Sequence, residues 1–240
     1  MEKKALTYRE GFRDGLPIAL GYLSVSFTFV ITAVGMGIPP LAAILISMTN
    51  LTSAGQVAGV GIIAAGGGCF EMALAQLIIN LRYALMGLSL SQKLDSRYNL
   101  LHRILSAFGI TDEVFAVASG KSSELSPRYM YGLITLPYIF WAAGTAGGAI
   151  LGGILPENIK SALGIAIYGM FIAIVIPPAK KSRGIVFVAI VAAVLSCLIY
   201  YLPALSGISS GISVIICTVI AAALGAWLFP RKEKEEVRSE

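Results

Sequence analysis

Glu71-Met-Ala-Leu-Ala-Gln-Leu-Ile-Ile-Asn-Leu-Arg82 places two charged side chains in a segment otherwise suited to lipid, and they are the only charged residues from Gly15 to Gln92. A charge near a bilayer centre costs roughly 2.5–3.5 kcal/mol even on lenient insertion scales. Each therefore needs a partner, water or a function. On a helix, Glu71, Ala75, Ile78, Arg82 and Ser89 share one stripe. Glu71 and Arg82 are eleven residues apart, roughly 16 Å along the axis, so they cannot pair with each other.

The rest of the chain supplies the lipid-facing scaffold that this stretch implies. Of 240 residues, 57% are hydrophobic and 13% charged, with a mean hydropathy of +0.82. A soluble domain carries about 25% charged residues, so this chain cannot wet its own surface. Runs such as Gly184-Ile-Val-Phe-Val-Ala-Ile-Val-Ala-Ala-Val-Leu lack the alternation of a β-barrel strand. The fold class is an all-α polytopic membrane protein forming a single integral domain over 1–240. The net charge of +5 comes from short basic runs between apolar spans and is not a nucleic-acid signal. Cys69, Cys197 and Cys217 all lie in apolar segments, against a disulfide framework or zinc site. The pattern asks for no cofactor and no metal.

Apolar spans are expected at Gly15–Met36, from about Glu71 to Ser91, Tyr129–Leu155, Ser161–Ile176, Gly184–Leu202 and Gly211–Phe229. Two further stretches are interrupted. Leu41–Ala65 holds Asn50-Leu-Thr-Ser-Ala-Gly-Gln56 at its middle, and Ile104–Gly120 holds Thr111-Asp112-Glu113. If both cross fully there are eight spans, and Lys93, Arg97 and Arg103 lie outside. If both are re-entrant hairpins there are six, and those basic residues join the cytoplasmic side. The reading is six to eight transmembrane segments with broken or re-entrant helices near 41–66 and 104–120. Lysine and arginine bias, which favours hairpins, puts residues 1–14 and the tail 231–240 in the cytoplasm. The two breaks also echo each other: Leu51-Thr-Ser-Ala-Gly-Gln resembles Ile110-Thr-Asp-Glu-Val-Phe in its polar start. Repeats whose broken helices meet at mid-membrane recur in secondary transporters.

The polar residues divide by chemistry. Arg82 needs a carboxylate, and Asp112 and Glu113 are the candidates; a mere lock between two segments is the plainer account. Thr111-Asp112-Glu113 has the form of a helix N-terminus, a cap followed by acid. Asn50, Thr52, Ser53 and Gln56 form a second polar break, whose N–H groups could meet an anion or whose side chains could simply bond between helices. Gly144, Gly148 and Gly152 permit close helix approach, with the partner unreadable. Enzyme readings fail. The sole histidine, His102, lies in a basic loop, and no nucleotide-binding loop is present. A channel is the better rival to a carrier.

Phe12-Arg-Asp-Gly-Leu-Pro, Thr52-Ser-Ala-Gly-Gln56, Asn80-Leu-Arg82 with Gly87-Leu-Ser-Leu, and Thr111-Asp-Glu113 resemble the AzlC family in order and spacing, from about Tyr8 to Trp227. One departure is Tyr83, where family members often carry histidine. The resemblance implies a permease of the bacterial cytoplasmic membrane, the large subunit of a branched-chain amino acid exporter with a small hydrophobic AzlD-type partner. An amino acid requires an anion site, an acceptor for its ammonium and an apolar pocket. Arg82 or the Thr52–Gln56 break is then expected to take the carboxylate, and Asp112 or Glu113 the ammonium. Asn80 would orient the substrate, with Asn50, Ser53 and Thr111 lining the site. Glu71 is the candidate ion-coupling carboxyl. The alternatives are a pore-forming or structural subunit, or an exporter of another small amphipathic solute.

Overall fold

The computed structural model describes residues 6–152, 182–205 and 207–230 without interruption, and scattered positions between 153 and 181. The chain forms two compact units, Met1–Gly169 and Met170–Glu240. In the first unit the helices are α1 (Tyr8–Gly35), α2 (Pro40–Thr49), α3 (Ala54–Ala64), α4 (Cys69–Ser91), α5 (Leu100–Phe108), α6 (Asp112–Ser119) and α7 (Pro127–Leu151). In the second, α8 (Arg183–Tyr201) and α9 (Ser210–Leu228) are joined through a short 3-10 turn, Pro203–Leu205. Five helices among the described residues are long and apolar enough to cross a membrane: α1, α4, α7, α8 and α9. The chain is an all-α polytopic membrane protein. Most of the expected span Ser161–Ile176 and all of the tail 231–240 lie outside the described residues.

α1 starts earlier than the apolar pattern implies. Thr7 caps it, accepting from the Glu10 N–H, while the Glu10 carboxylate accepts from the Thr7 N–H at 2.7 Å. This reciprocal pair satisfies two of the helix's orphan donors, so the helix begins at Tyr8, before the hydrophobic run. Gly37 and Gly66, with φ of +89° and +71°, let the chain turn sharply after α1 and α3.

The spine of the first unit is α1 against α7, and the two run parallel. Gly11 lies on the Tyr129 backbone, Gly15 on Leu133, Gly144 on Leu23 and Gly148 on Phe27, so the residue numbers rise together. A Cβ at Gly15 would stand 2.6 Å from the Leu133 carbonyl oxygen, and one at Gly148 would stand 2.7 Å from that of Phe27. Only glycine admits such contact between backbones. In lipid, where helices gain nothing by hiding from water, this packing is what holds them together. The glycine run of α7 thus has its partner within the same chain.

The two interrupted stretches are hairpins, and they enter from opposite ends of the unit. α2 runs against α7 from its Leu151 end: Ser47 Oγ meets Thr145 Oγ1 at 2.7 Å, and one residue later Met48 O accepts from Tyr138 Oη at 3.2 Å. α3 then returns along α4, with Gly55 beside Gln76 and Asn80 and Gly59 beside Met72. α4 carries the chain to the other end, where Leu125 N donates to Lys93 O at 2.8 Å, next to the start of α7. From there α5 descends along α7, His102 Nδ1 lying 2.6 Å from Tyr131 Oη and the Phe108 ring 5.8 Å from that of Tyr138. α6 climbs back along α1, from Thr111 at Tyr22 to Lys121, whose Nζ lies 2.7 Å from Asp14. Lys93 Nζ closes the return by donating to Ser119 O and Lys121 O, at 2.6 and 2.9 Å.

Each hairpin arm has 8 to 11 residues. At 1.5 Å per residue that is about half the roughly 30 Å hydrocarbon thickness. The pattern long helix, half-helix, half-helix therefore occurs twice, with starts at 8, 40 and 54 and again at 69, 100 and 112, in opposite directions. The two breaks that echo each other in sequence occupy corresponding places in this repeat, one residue out of register: the echo pairs Thr52 with Thr111, whereas the helix caps pair Ser53 with Thr111. Within residues 6–152 every lysine and arginine except Arg82 lies toward the end where α1 and α7 begin: Arg9, Arg13, Lys93, Arg97, Arg103, Lys121 and Arg128.

In the second unit α8 and α9 are antiparallel, with Gly184 against Phe229 and Gly225 against Val188. The Phe187 and Phe229 rings pack at 5.5 Å.

Candidate functional site

The two breaks meet in the middle of the first unit. Leu51 from one and Val114 from beside the other belong to a single buried cluster with Tyr22, Leu133 and Trp141. Tyr22 is midway along α1 and its hydroxyl meets Thr111 at 2.6 Å, which puts the second break at the mid-depth of the unit; the first lies beside Asn80, two residues before Arg82 on α4. Around the cluster the polar residues fall into two groups.

The charged group joins α4, α6 and α1. Arg82 Nη1 lies 2.9 Å from Asp112 Oδ2, an ion pair across α4 and α6. Arg82 Nη2 also donates to Tyr83 Oη at 3.1 Å. Glu113 turns the other way. Its Oε2 lies 2.6 Å from Tyr22 Oη, and Thr111 Oγ1 lies 2.6 Å from the same phenol. A phenol has one proton, and the carboxylate is the stronger acceptor; the Thr111 hydroxyl then donates to Tyr22. Thr111 also accepts from Val114 N at 3.3 Å, which makes it the N-cap of α6. The reading of Thr111-Asp112-Glu113 as a helix N-terminus is what the structure shows, at the level of the middle of α1.

The amide group joins the α2–α3 break to α4. Gln56, 1% exposed, donates from Nε2 to Ser47 O at 3.2 Å and to Asn50 O, satisfying carbonyls that the end of α2 leaves open. Gln76 Nε2 donates to Gly55 O at 2.7 Å, and Asn80 Nδ2 to Gln76 Oε1 at 2.9 Å. Thr52 stands over Gly55 beside these amides. Ser53 adopts φ +30°, a conformation that costs a non-glycine residue about 1–3 kcal/mol, and its side chain caps nothing. Four atoms of the two polar groups are buried with no hydrogen-bond partner among the described residues, Thr52 Oγ1, Gln56 Oε1, Asn80 Oδ1 and Arg82 Nε, as is the indole Nε1 of Trp141 in the neighbouring cluster. Buried polar atoms normally find partners, so such a set indicates a ligand or water. Of the first four, three can accept, and one is a guanidinium donor; together they suit a solute carrying both donors and an anionic group.

Of the expected site residues, Arg82, Asp112, Glu113 and Thr111 come together in the charged group, and Asn50, Thr52, Gln56 and Asn80 in the amide group. Glu71 is apart from both. It occupies the first turn of α4, beside Gly67, where a carboxylate also suits the helix dipole. Sequence reasoning missed Tyr22 and Gln76. Gln76 is one helical turn before Asn80, a spacing that could have identified it; nothing in its sequence sets Tyr22 apart from other tyrosines of apolar helices. A surface groove along the first turns of α1, lined by Arg9, Phe12, Arg13, Leu16 and Leu136 among others, shares no residue with the cluster.

The AzlC protein family matches residues 17–155, which span both hairpins and all of these polar residues. The chain is 30% identical over 215 residues to the inner membrane protein YgaZ of Escherichia coli (strain K12), covering 85% of this chain and 88% of that one. It is 32% identical over 179 residues to an uncharacterized membrane protein of Archaeoglobus fulgidus, covering 74% and 78%. It is also 22% identical over 179 residues to the branched-chain amino acid transport protein AzlC of Bacillus subtilis (strain 168), covering 73% and 69%. No solved structure matches the chain. With a family match over more than half its length and hairpins built from the residues that carry the resemblance, the chain belongs to the AzlC family, a membrane family associated with transport.

Proposed function

We propose that this chain is the large subunit of a secondary transporter that exports branched-chain or related apolar amino acids across the bacterial cytoplasmic membrane. A small hydrophobic AzlD-type subunit is its partner, and an ion or substrate gradient drives it. The observation that carries the reading is the meeting of two opposed half-depth hairpins at a polar cluster holding both charge signs and four unpartnered atoms. Opposed broken helices give a solute a polar site at mid-depth that either side of the membrane can reach in turn. The similarity to the branched-chain amino acid transport protein AzlC of Bacillus subtilis supports the substrate class.

In this reading the substrate carboxylate meets Arg82, whose Nε is unpartnered, or the N–H groups of the Thr52–Gln56 break. The ammonium meets Asp112 or Glu113, and Asn80 orients the solute, with Asn50, Ser53 and Thr111 completing the surround. Leu51, Val114 and Trp141 supply apolar wall. Glu71 serves as the ion-coupling carboxyl, from the far end of α4. The basic residues clustered where α1 and α7 begin support a cytoplasmic N-terminus in this reading. The C-terminal Arg231, Lys232 and Lys234 support a cytoplasmic tail by the same rule.

Leucine efflux from cells expressing this chain, with and without a small AzlD-type subunit, tests the reading. Efflux above background that requires both chains supports it; no efflux of leucine, isoleucine or valine in either case rejects it.

A further inference from the structure

Asp112 and Glu113 are adjacent and both acidic, yet their surroundings differ. Asp112 has the guanidinium of Arg82 at 2.9 Å, a pair with no net charge. Among the described residues Glu113 has no cation in its ion pairs or hydrogen bonds: its carboxylate rests on the neutral phenol of Tyr22 at 2.6 Å. The charged and titratable groups that approach this corner are Arg82 and Tyr83 from α4, Asp112 on its own helix and Tyr22 from α1. Helix capping does not account for the acid. Thr111 already caps α6, and α3, the counterpart of α6 in the inverted repeat, begins with Ala54-Gly55 where α6 has Asp112-Glu113. The hairpin architecture thus does without an acid at this position in one of its two copies. A carboxylate at mid-depth without a counter-charge is costly unless a cationic group comes to it.

We infer that Glu113, held in place by Tyr22, is the carboxylate that receives the substrate's ammonium group, while Asp112 remains with Arg82 and does not touch the solute. The inference rests on the amino acid carrier reading above and divides its acidic pair into two roles. Tyr22 is a positioning residue: its hydroxyl sets the carboxylate toward the cluster, and its ring packs edge-on to Trp141 at 5.1 Å. Arg82 is left to face the substrate carboxylate through Nε.

The test is equilibrium binding to the purified full chain with its small subunit, using labelled leucine and, as competitor, 4-methylpentanoate, which is leucine without its amino group. Wild type should prefer leucine by at least tenfold. Glu113→Gln should bring that preference close to one, chiefly by weakening leucine, with 4-methylpentanoate affinity kept. Tyr22→Phe should reduce the preference part-way, and Asp112→Asn should leave it intact even if both affinities fall. A Glu113→Gln protein that keeps the wild-type preference, or loses both ligands equally, overturns the inference while leaving the carrier reading in place. Absence of leucine binding in wild type instead defeats the carrier reading itself.

Discussion

Arg82 and Asp112 form an ion pair that either pins two helices together or holds a solute, and substitution can separate these roles. Their side chains are 36% and 24% exposed, so the pair is not sealed in the core. Arg82→Ala leaves Asp112 without a partner at mid-depth. It should abolish leucine efflux while the protein still inserts, read by membrane fractionation alongside transport. A neutral replacement of both, Arg82→Met with Asp112→Leu, removes the orphaned charge and should raise the melting temperature above that of Arg82→Ala. If the pair is a lock only, transport returns in the double variant; as a substrate site, it does not return. Which residues would gather was partly legible in the sequence. A lone arginine in an apolar helix demands a carboxylate, and only Asp112 and Glu113 lay in a segment able to reach it. Which of the two would pair was not legible, because that depends on Tyr22 approaching from a helix 90 residues away in the chain.

At the level of the elements, the α1–α7 seam and the two hairpins make separate demands. Gly147 and Gly148 are neighbours in α7 with opposite tolerance. A Cβ at Gly147 would find only the Phe27 ring, at 3.8 Å, whereas one at Gly148 would strike the Phe27 carbonyl. Gly148→Ala should therefore destabilise the detergent-solubilised protein by about 1–3 kcal/mol through overpacking. Gly147→Ala should be neutral or stabilising by up to about 1 kcal/mol, alanine being the better helix former. Thermal melts of the two variants side by side check this. The hairpins are tested by labelling single cysteines in a background without Cys69, Cys197 and Cys217. Positions 36–39 and 65–68 should react with an impermeant thiol reagent from one side of the membrane, and 92–97 and 121–124 from the other. A full crossing by residues 41–65 would instead put 36–39 and 65–68 on opposite sides.

The sequence marked both breaks through Asn50–Gln56 and Thr111–Glu113, since polar residues inside apolar runs are costly unless helices end there. It also favoured re-entry, through Lys93, Arg97 and Arg103. The direction of each arm was beyond it, being set by contacts with α7 such as Ser47 to Thr145 and His102 to Tyr131. The early start of α1 was legible after all in Thr7 and Glu10, spaced as a capping box, but hydrophobicity alone placed the start at Gly15.

For the molecule as a whole, the inverted repeat is the feature on which the proposed carrier mechanism rests. α1–α2–α3 and α4–α5–α6 build equivalent layouts facing opposite ways, so a conformation open to one side has a counterpart open to the other. Large apolar side chains such as Leu77, Leu81 and Leu85 on α4 and Ile190 and Val194 on α8 are exposed, as lipid-facing surface requires. A pore with the same polar lining would conduct without alternation, and exchange kinetics distinguish the two. The most direct measurement is counterflow of labelled leucine into proteoliposomes containing this chain and the proposed small subunit. With unlabelled leucine inside, labelled leucine should enter several-fold faster than into empty vesicles, and Arg82→Ala should remove that acceleration. Entry indifferent to internal leucine, or acceleration unchanged in Arg82→Ala, would contradict a carrier site at the meeting of the hairpins.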